Sequence, residues 1–198
     1  GNGRLLVGLM AYHQATGDPA VLAAARRLAA FLLGVREAAK APEVLKRVEG
    51  QGAFGFICFT QLAEGLAMLG RATGDRRYLE AGAGIVPLLP PRGVQHSHGY
   101  LSTIRGAVML HEAGAPGGML GLAERLYGEL VASGDYTVDG GVMEYFGWSD
   151  PETRKLLQPA QAASGHDPRN EGCGLADFLR LSLQLHAATG RAHYLERA

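Results

Sequence analysis

Apolar positions along this chain recur at helical spacing. Leu5, Leu6, Leu9 and Tyr12 fall on one stripe of a first helix, and Leu22, Ala25, Leu28, Ala29 and Leu32 on one stripe of a second. Between them stands Ala15-Thr16-Gly17-Asp18. The phrase returns as Ala72-Thr73-Gly74-Asp75 and Ala188-Thr189-Gly190-Arg191, with Glu112-Ala113-Gly114-Ala115 as a weaker copy. Leu62, Leu66 and Leu69 precede the second copy, and Tyr78 and Leu79 follow it. Leu175, Phe178, Leu179, Ser182 and Leu185 precede the last, which leads into Tyr194 and Leu195. The phrase reads as a reversal: glycine takes the left-handed conformation that ends a helix, and Asp18 caps the next helix with Pro19 at its first position. The pattern predicts four antiparallel helix pairs that turn at Gly17, Gly74, Gly114 and Gly190.

The intervals between these glycines are unequal, which argues against a strict solenoid repeat. Helical hairpins joined by long functional loops fit better, the pattern of an α/α toroid whose inner helices surround a pocket. The longest loop, 133–170, holds many Gly and Pro residues. Its Tyr136, Val138, Val142, Tyr145, Phe146 and Trp148 predict a short β-hairpin, with strand content confined to this region. A second loop, 87–100, ends in Gln95-His96-Ser97-His98-Gly99-Tyr100, and both loops precede an expected inner helix. The chain opens without Met and stops in an uncapped helical pattern at Tyr194-Leu195-Glu196-Arg197-Ala198, so residues 1–198 read as one domain cut at both ends. Such a piece is expected to expose apolar surface that the whole toroid would bury.

Composition narrows the partners. The 198 residues are 47% hydrophobic and 19% charged, which is ordinary for a globular domain. The formal charge is zero, leaving no cationic excess to neutralise a nucleic acid or an anionic lipid surface. No apolar run approaches the roughly 20 residues of a membrane span. Cys58 and Cys173 are too few for a disulfide framework, and the cytoplasmic and secreted compartments both stay open.

Three groups of residues stand out as chemistry. Glu171-Gly172-Cys173 places a carboxylate and a thiol at a helix N-terminus, a setting expected to favour a thiolate and to supply half of a zinc site; a packed Cys beside a dipole-complementing Glu is the alternative. His96 and His98, read as part of an extended loop, share a side and suit a polyhydroxylated ligand or a metal. Glu144 is set among apolar and aromatic residues, with Tyr145 and Trp148 available to stack on a sugar. His13, His111, His186, His193, Glu64 and Glu152 read as structural or surface residues.

Taken together, Gly3-Arg4-Leu5-Leu6, Ala15-Thr16-Gly17-Asp18-Pro19, His96-Ser97-His98-Gly99-Tyr100-Leu101-Ser102-Thr103 and Asn170-Glu171-Gly172-Cys173 resemble the β-L-arabinofuranosidase family, glycoside hydrolase family 127. The resemblance runs nearly end to end, and its Glu-x-Cys at a helix start is its most specific part. It implies a retaining glycosidase on a partial (α/α)6 barrel, in which a zinc-held cysteine thiolate attacks the anomeric carbon of a furanoside. Glu171 and Cys173 match the first pair of zinc ligands; two later cysteines, one of them the nucleophile, are expected downstream of Ala198. The acid/base carboxylate precedes the Glu-x-Cys motif, and Glu144 is the nearest candidate. Two other readings stand beside this one: a metal-independent epimerase-like or lyase-like toroid using histidine and carboxylate, and a non-enzymatic helical-hairpin scaffold.

Overall fold

The structure, a computed structural model, describes residues 2–38, 40–50, 55–89, 95–137, 140–147, 150–152, 154–155 and 171–198. Most of them are helical. The first hairpin is α1 (Asn2–Thr16) and α2 (Pro19–Ala38); the short helices α3 (Pro42–Glu49) and α4 (Ile57–Thr60) follow. The second hairpin is α5 (Leu62–Thr73) and α6 (Arg76–Ile85), extended by a 3-10 turn Val86–Leu88. The third is α7 (Ser97–Glu112) and α8 (Met119–Val131). The last is α9 (Gly172–Thr189), whose return is a 3-10 helix, Ala192–Arg197, and not an α-helix.

The repeated phrase explains its own recurrence. Gly17, Gly74, Gly114 and Gly190 all have positive φ, between 69° and 79°. At three of the turns the threonine is bifunctional: the hydroxyls of Thr16, Thr73 and Thr189 donate to the carbonyls of Tyr12, Leu69 and Leu185. Each then accepts the amide of the residue after the glycine, at 3.2 Å. One side chain thus ties the last helical turn to the exit strand. Asp18 and Asp75 accept the amides of Ala20 and Arg77, capping the second helices.

The first helices of the hairpins pack in the order α1, α5, α7, α9, and α2, α6 and α8 back them. Two glycines set the spacing. A β-carbon on Gly65 would lie 2.8 Å from Leu6 Cγ, and one on Gly106 would lie 2.8 Å from the Glu64 amide nitrogen and 2.9 Å from Ala63 Cβ. This close approach carries the side chain beside Gly65, Glu64, into reach of both neighbouring helices. Gly106→Ala should therefore destabilise the chain by about 1–3 kcal/mol despite alanine's better helix propensity, because the obstacle is backbone. The midpoint of urea unfolding would report it.

The larger apolar core surrounds α7, which is buried at nearly every position from Ser97 to Val108. A smaller core joins α1, α2 and α5 through Leu6, Met10, Ala25, Ala29, Leu66 and Leu69. The outer helices of the row carry exposed apolar residues, Leu5 and Tyr12 on α1 and Leu175, Leu179 and Leu183 on α9.

Strand pairing departs from expectation. β1 (Gln95–His96) pairs antiparallel with β2 (Tyr145–Phe146), matching Gln95 to Phe146 and His96 to Tyr145. Strand is thus not confined to 133–170: within that loop the described residues form only the bridge of Tyr136 with Val142. The longer partnership reaches across the sequence because β1 runs straight into the buried start of α7, where an unpaired backbone would be costly.

Candidate functional site

The segment 142–147 is pinned on both sides by backbone. On one side it forms the β1 pairing, continued by Ser97 N–H donating to the Glu144 carbonyl at 2.8 Å. On the other, Glu171 N–H donates to the Val142 carbonyl at 3.1 Å, while the Asp135 carboxylate accepts the Gly147 amide at 2.9 Å. Glu144 is consequently held between the start of α7 and the start of α9, and it is buried. The His96 ring meets the Tyr145 ring edge to face, 5.4 Å between centroids. Burial lowers the His96 pKa against the opposing pull of the Glu171 and Glu144 charges, which favours a neutral imidazole. The Tyr145 hydroxyl is pushed up by burial and by the charge and hydrogen bond of Glu144, so it stays a protonated donor.

Glu171 is the N-cap of α9, and its carboxylate accepts the Gly174 amide. That carboxylate also takes the Cys173 thiol as a hydrogen-bond partner, and through that bond and its charge it raises the thiol's pKa. This corrects the expectation of a thiolate: the orphan donor that should stabilise a sulfur anion is spent on Glu171, whose negative charge acts in the opposite direction. In chelator-treated protein, Glu171→Gln should lower the Cys173 pKa and speed its alkylation by iodoacetamide near neutral pH. Peptide mass spectrometry would read the change; an unchanged or slower rate would contradict it.

Beside this locus lies a closed circuit of charged side chains from four helices. Arg105 on α7 is fully buried, and its two terminal nitrogens donate to Glu64 Oε1 on α5 and Asp177 Oδ1 on α9. Asp177 Oδ2 lies 2.5 Å from His98 Nδ1. His98 Nε2 lies 3.0 Å from Arg4 NH2 on α1, and Arg4 NH1 returns to Glu64 Oε2 at 3.0 Å. Burial pushes the Asp177 carboxyl up, but the His98 hydrogen bond and the Arg105, His98 and Arg4 charges outweigh it and hold the group below its ordinary value. Arg105 and the partly exposed Arg4 oppose Glu64 and Asp177, which is what makes burial of the two carboxylates and of Arg105 tolerable.

The structure therefore brings Glu144, Tyr145, His96, Glu171 and Cys173 into one locus, with His98 linked to it by a ring separation of 6.1 Å from His96. The two histidines do not share an extended loop: His96 is in β1 and His98 in the first turn of α7, with their rings perpendicular. Trp148 lies outside the described residues. Glu64, read as structural, is a buried member of the circuit, and Arg4, Arg105 and Asp177 were not anticipated. Glu64 and Arg105 each stand among apolar and small residues on a core-facing stretch, and that was the available signal. Among the described residues no group of three or more His, Cys, Asp and Glu is arranged to hold a metal ion. Compared with family models, curated proteins and solved structures, the chain has no match in any of the three.

Proposed function

We propose that the chain is part of a retaining glycoside hydrolase resembling the β-L-arabinofuranosidases, on an α/α toroid to which its four hairpins contribute a segment. The observation that carries this reading is the backbone pinning of Glu144 between His96-Ser97 and Glu171. It sets a buried carboxyl beside a carboxylate and thiol that share a proton.

Glu171 and Cys173 suit half of a zinc donor set, because a divalent cation can replace the proton between them and Cys173 is exposed toward further ligands. When bound, zinc would keep thiolate ligands ionised and orient the attacking one, supplied by a cysteine outside this sequence. The chain's own residues do the rest. Glu144 gives its proton to the leaving-group oxygen and then takes one from the incoming water, while the Tyr145 hydroxyl orients its carboxyl. His96 and His98 hold sugar hydroxyls, in which role Tyr145 and Trp148 supply stacking faces. Hydrolysis of a nitrophenyl β-L-arabinofuranoside by the complete enzyme, lost on chelation and restored by zinc, is the expected result.

The paired His98 and Asp177 favour a second reading, a metal-independent toroid enzyme that uses histidine and carboxylate. Sugar turnover that survives chelation would select it.

A further inference from the structure

We infer that a groove between α2, α4 and the 3-10 turn Val86–Leu88 is a binding site for an amphiphilic carboxylate, an alkyl chain with one anionic end of the octanoate kind. The inference goes beyond the glycosidase proposal and does not depend on it, since Glu144, His96, His98, Glu171 and Cys173 take no part in lining this groove.

The groove has two lobes. The first, about 310 Å³, has the buried Leu62 and Ile85 in its lining, with Leu32 and Cys58 beside them. The second, about 300 Å³, is walled by Leu45 and Phe56. Arg36, Phe59 and Leu88 line both, so the two lobes meet at these side chains. Each volume is at the lower end of those that hold small molecules.

Two observations define the ligand. The first is apolar surface left open to water: Val35, Leu45 and Leu88 border the groove and are 44%, 36% and 43% exposed. An alkyl chain laid against them removes that surface from water. The second is charge of one sign. Arg36 and Lys40 are in the lining, and no carboxylate is among the described residues that line either lobe. The Arg36 guanidinium, at the joint of the lobes, makes no hydrogen bond among the described residues, and its Nε is buried without a partner. Its ion pair is with Glu37, 3.4 Å from NH1; that carboxylate is exposed and also taken by Lys40 at 2.5 Å. Arg36 is therefore short of acceptors in an apolar setting, where a charge-assisted bond is worth most. A ligand carboxylate supplies them while its chain covers the walls. An alcohol would leave the charge unmet, an ammonium would be repelled by Arg36 and Lys40, and an inorganic anion would gain nothing from the apolar walls.

Cys58 is exposed and lines the first lobe, which makes it a built-in reporter. In the complete protein, iodoacetamide labelling of the Cys58 peptide, read by mass spectrometry, should slow severalfold as octanoate is titrated. Octanol and octylammonium at equal concentration should leave it nearly unchanged, and titration calorimetry should rank the three ligands in the same way. Arg36→Met should weaken octanoate binding by about tenfold, the worth of one charge-assisted pair, without changing the response to octanol. The contrast between octanoate and octanol in the parent protein decides the matter if that variant fails to fold. Equal binding of octanoate and octanol, or no binding of octanoate, would overturn the site. Protection of Cys58 that grows with protein concentration in the absence of octanoate would overturn it too, because a second copy of the chain then fills the groove.

Discussion

Arg105→Met should cost the chain about 3–5 kcal/mol of stability, out of the roughly 5–15 kcal/mol that a domain commonly has. The loss is not that of the ion pairs as such. Glu64 and Asp177 are almost wholly buried, and without Arg105 the two carboxylates are left to share the partly exposed Arg4. Urea unfolding followed by circular dichroism should show a large fall in midpoint or no cooperative transition. Arg105→Lys should fall between, because one ammonium cannot span two carboxylates as a guanidinium fork does. Adding Glu64→Gln and Asp177→Asn to Arg105→Met should recover part of the loss, since the uncompensated charges are then gone. A near-normal midpoint for Arg105→Met alone would mean that the circuit is not buried as described. Acid should probe the same circuit. The folded-state pKa of Asp177 is depressed, so its stabilisation is present above the unfolded value near 4 and is lost as pH falls through and below it.

Under the proposed glycosidase function, Glu144→Gln should slow glycoside cleavage by about 10²–10⁴-fold without removing the proposed zinc, because the amide keeps the shape but cannot transfer a proton. Substrates with good leaving groups should be hurt less, since they need little protonation to depart. The backbone contacts of residue 144 should survive the change, as the Glu144 carbonyl and not its side chain accepts from Ser97. A uniform loss across leaving groups, together with loss of zinc, would instead point to collapse of the pinned segment. Steady-state rates on a leaving-group series separate the two outcomes.

The difference between what the sequence discloses and what it hides follows from range. The turn phrase is local: the threonine, glycine and aspartate that define it satisfy one another within a few residues, so its recurrence reveals hairpins wherever it stands. The start of α9 is local too, with Glu171 capping Gly174. The charged circuit is not, because its links join α1, α5, α7 and α9, and no spacing along the chain encodes which buried charge meets which. Glu64 gave no sign of its partners for this reason: its neighbours in sequence are apolar or small, and its partners stand on the packed helices to either side, far away along the chain. The β1 partner of Tyr145 was hidden likewise, since two-residue strands carry no alternation to read. The Cys173 thiol shows the limit of a single local rule, as the dipole of a helix start was outweighed by a carboxylate two positions earlier.

Zinc stoichiometry of the complete enzyme and of its Cys173→Ser variant, measured beside arabinofuranoside hydrolysis on the same samples, tests the proposed site most directly. A serine hydroxyl is a far poorer zinc ligand than a thiolate. The account predicts bound zinc and hydrolysis in the parent and a severe loss of both in the variant. Full zinc and full activity in Cys173→Ser, or hydrolysis by a parent enzyme that holds no zinc, would contradict it.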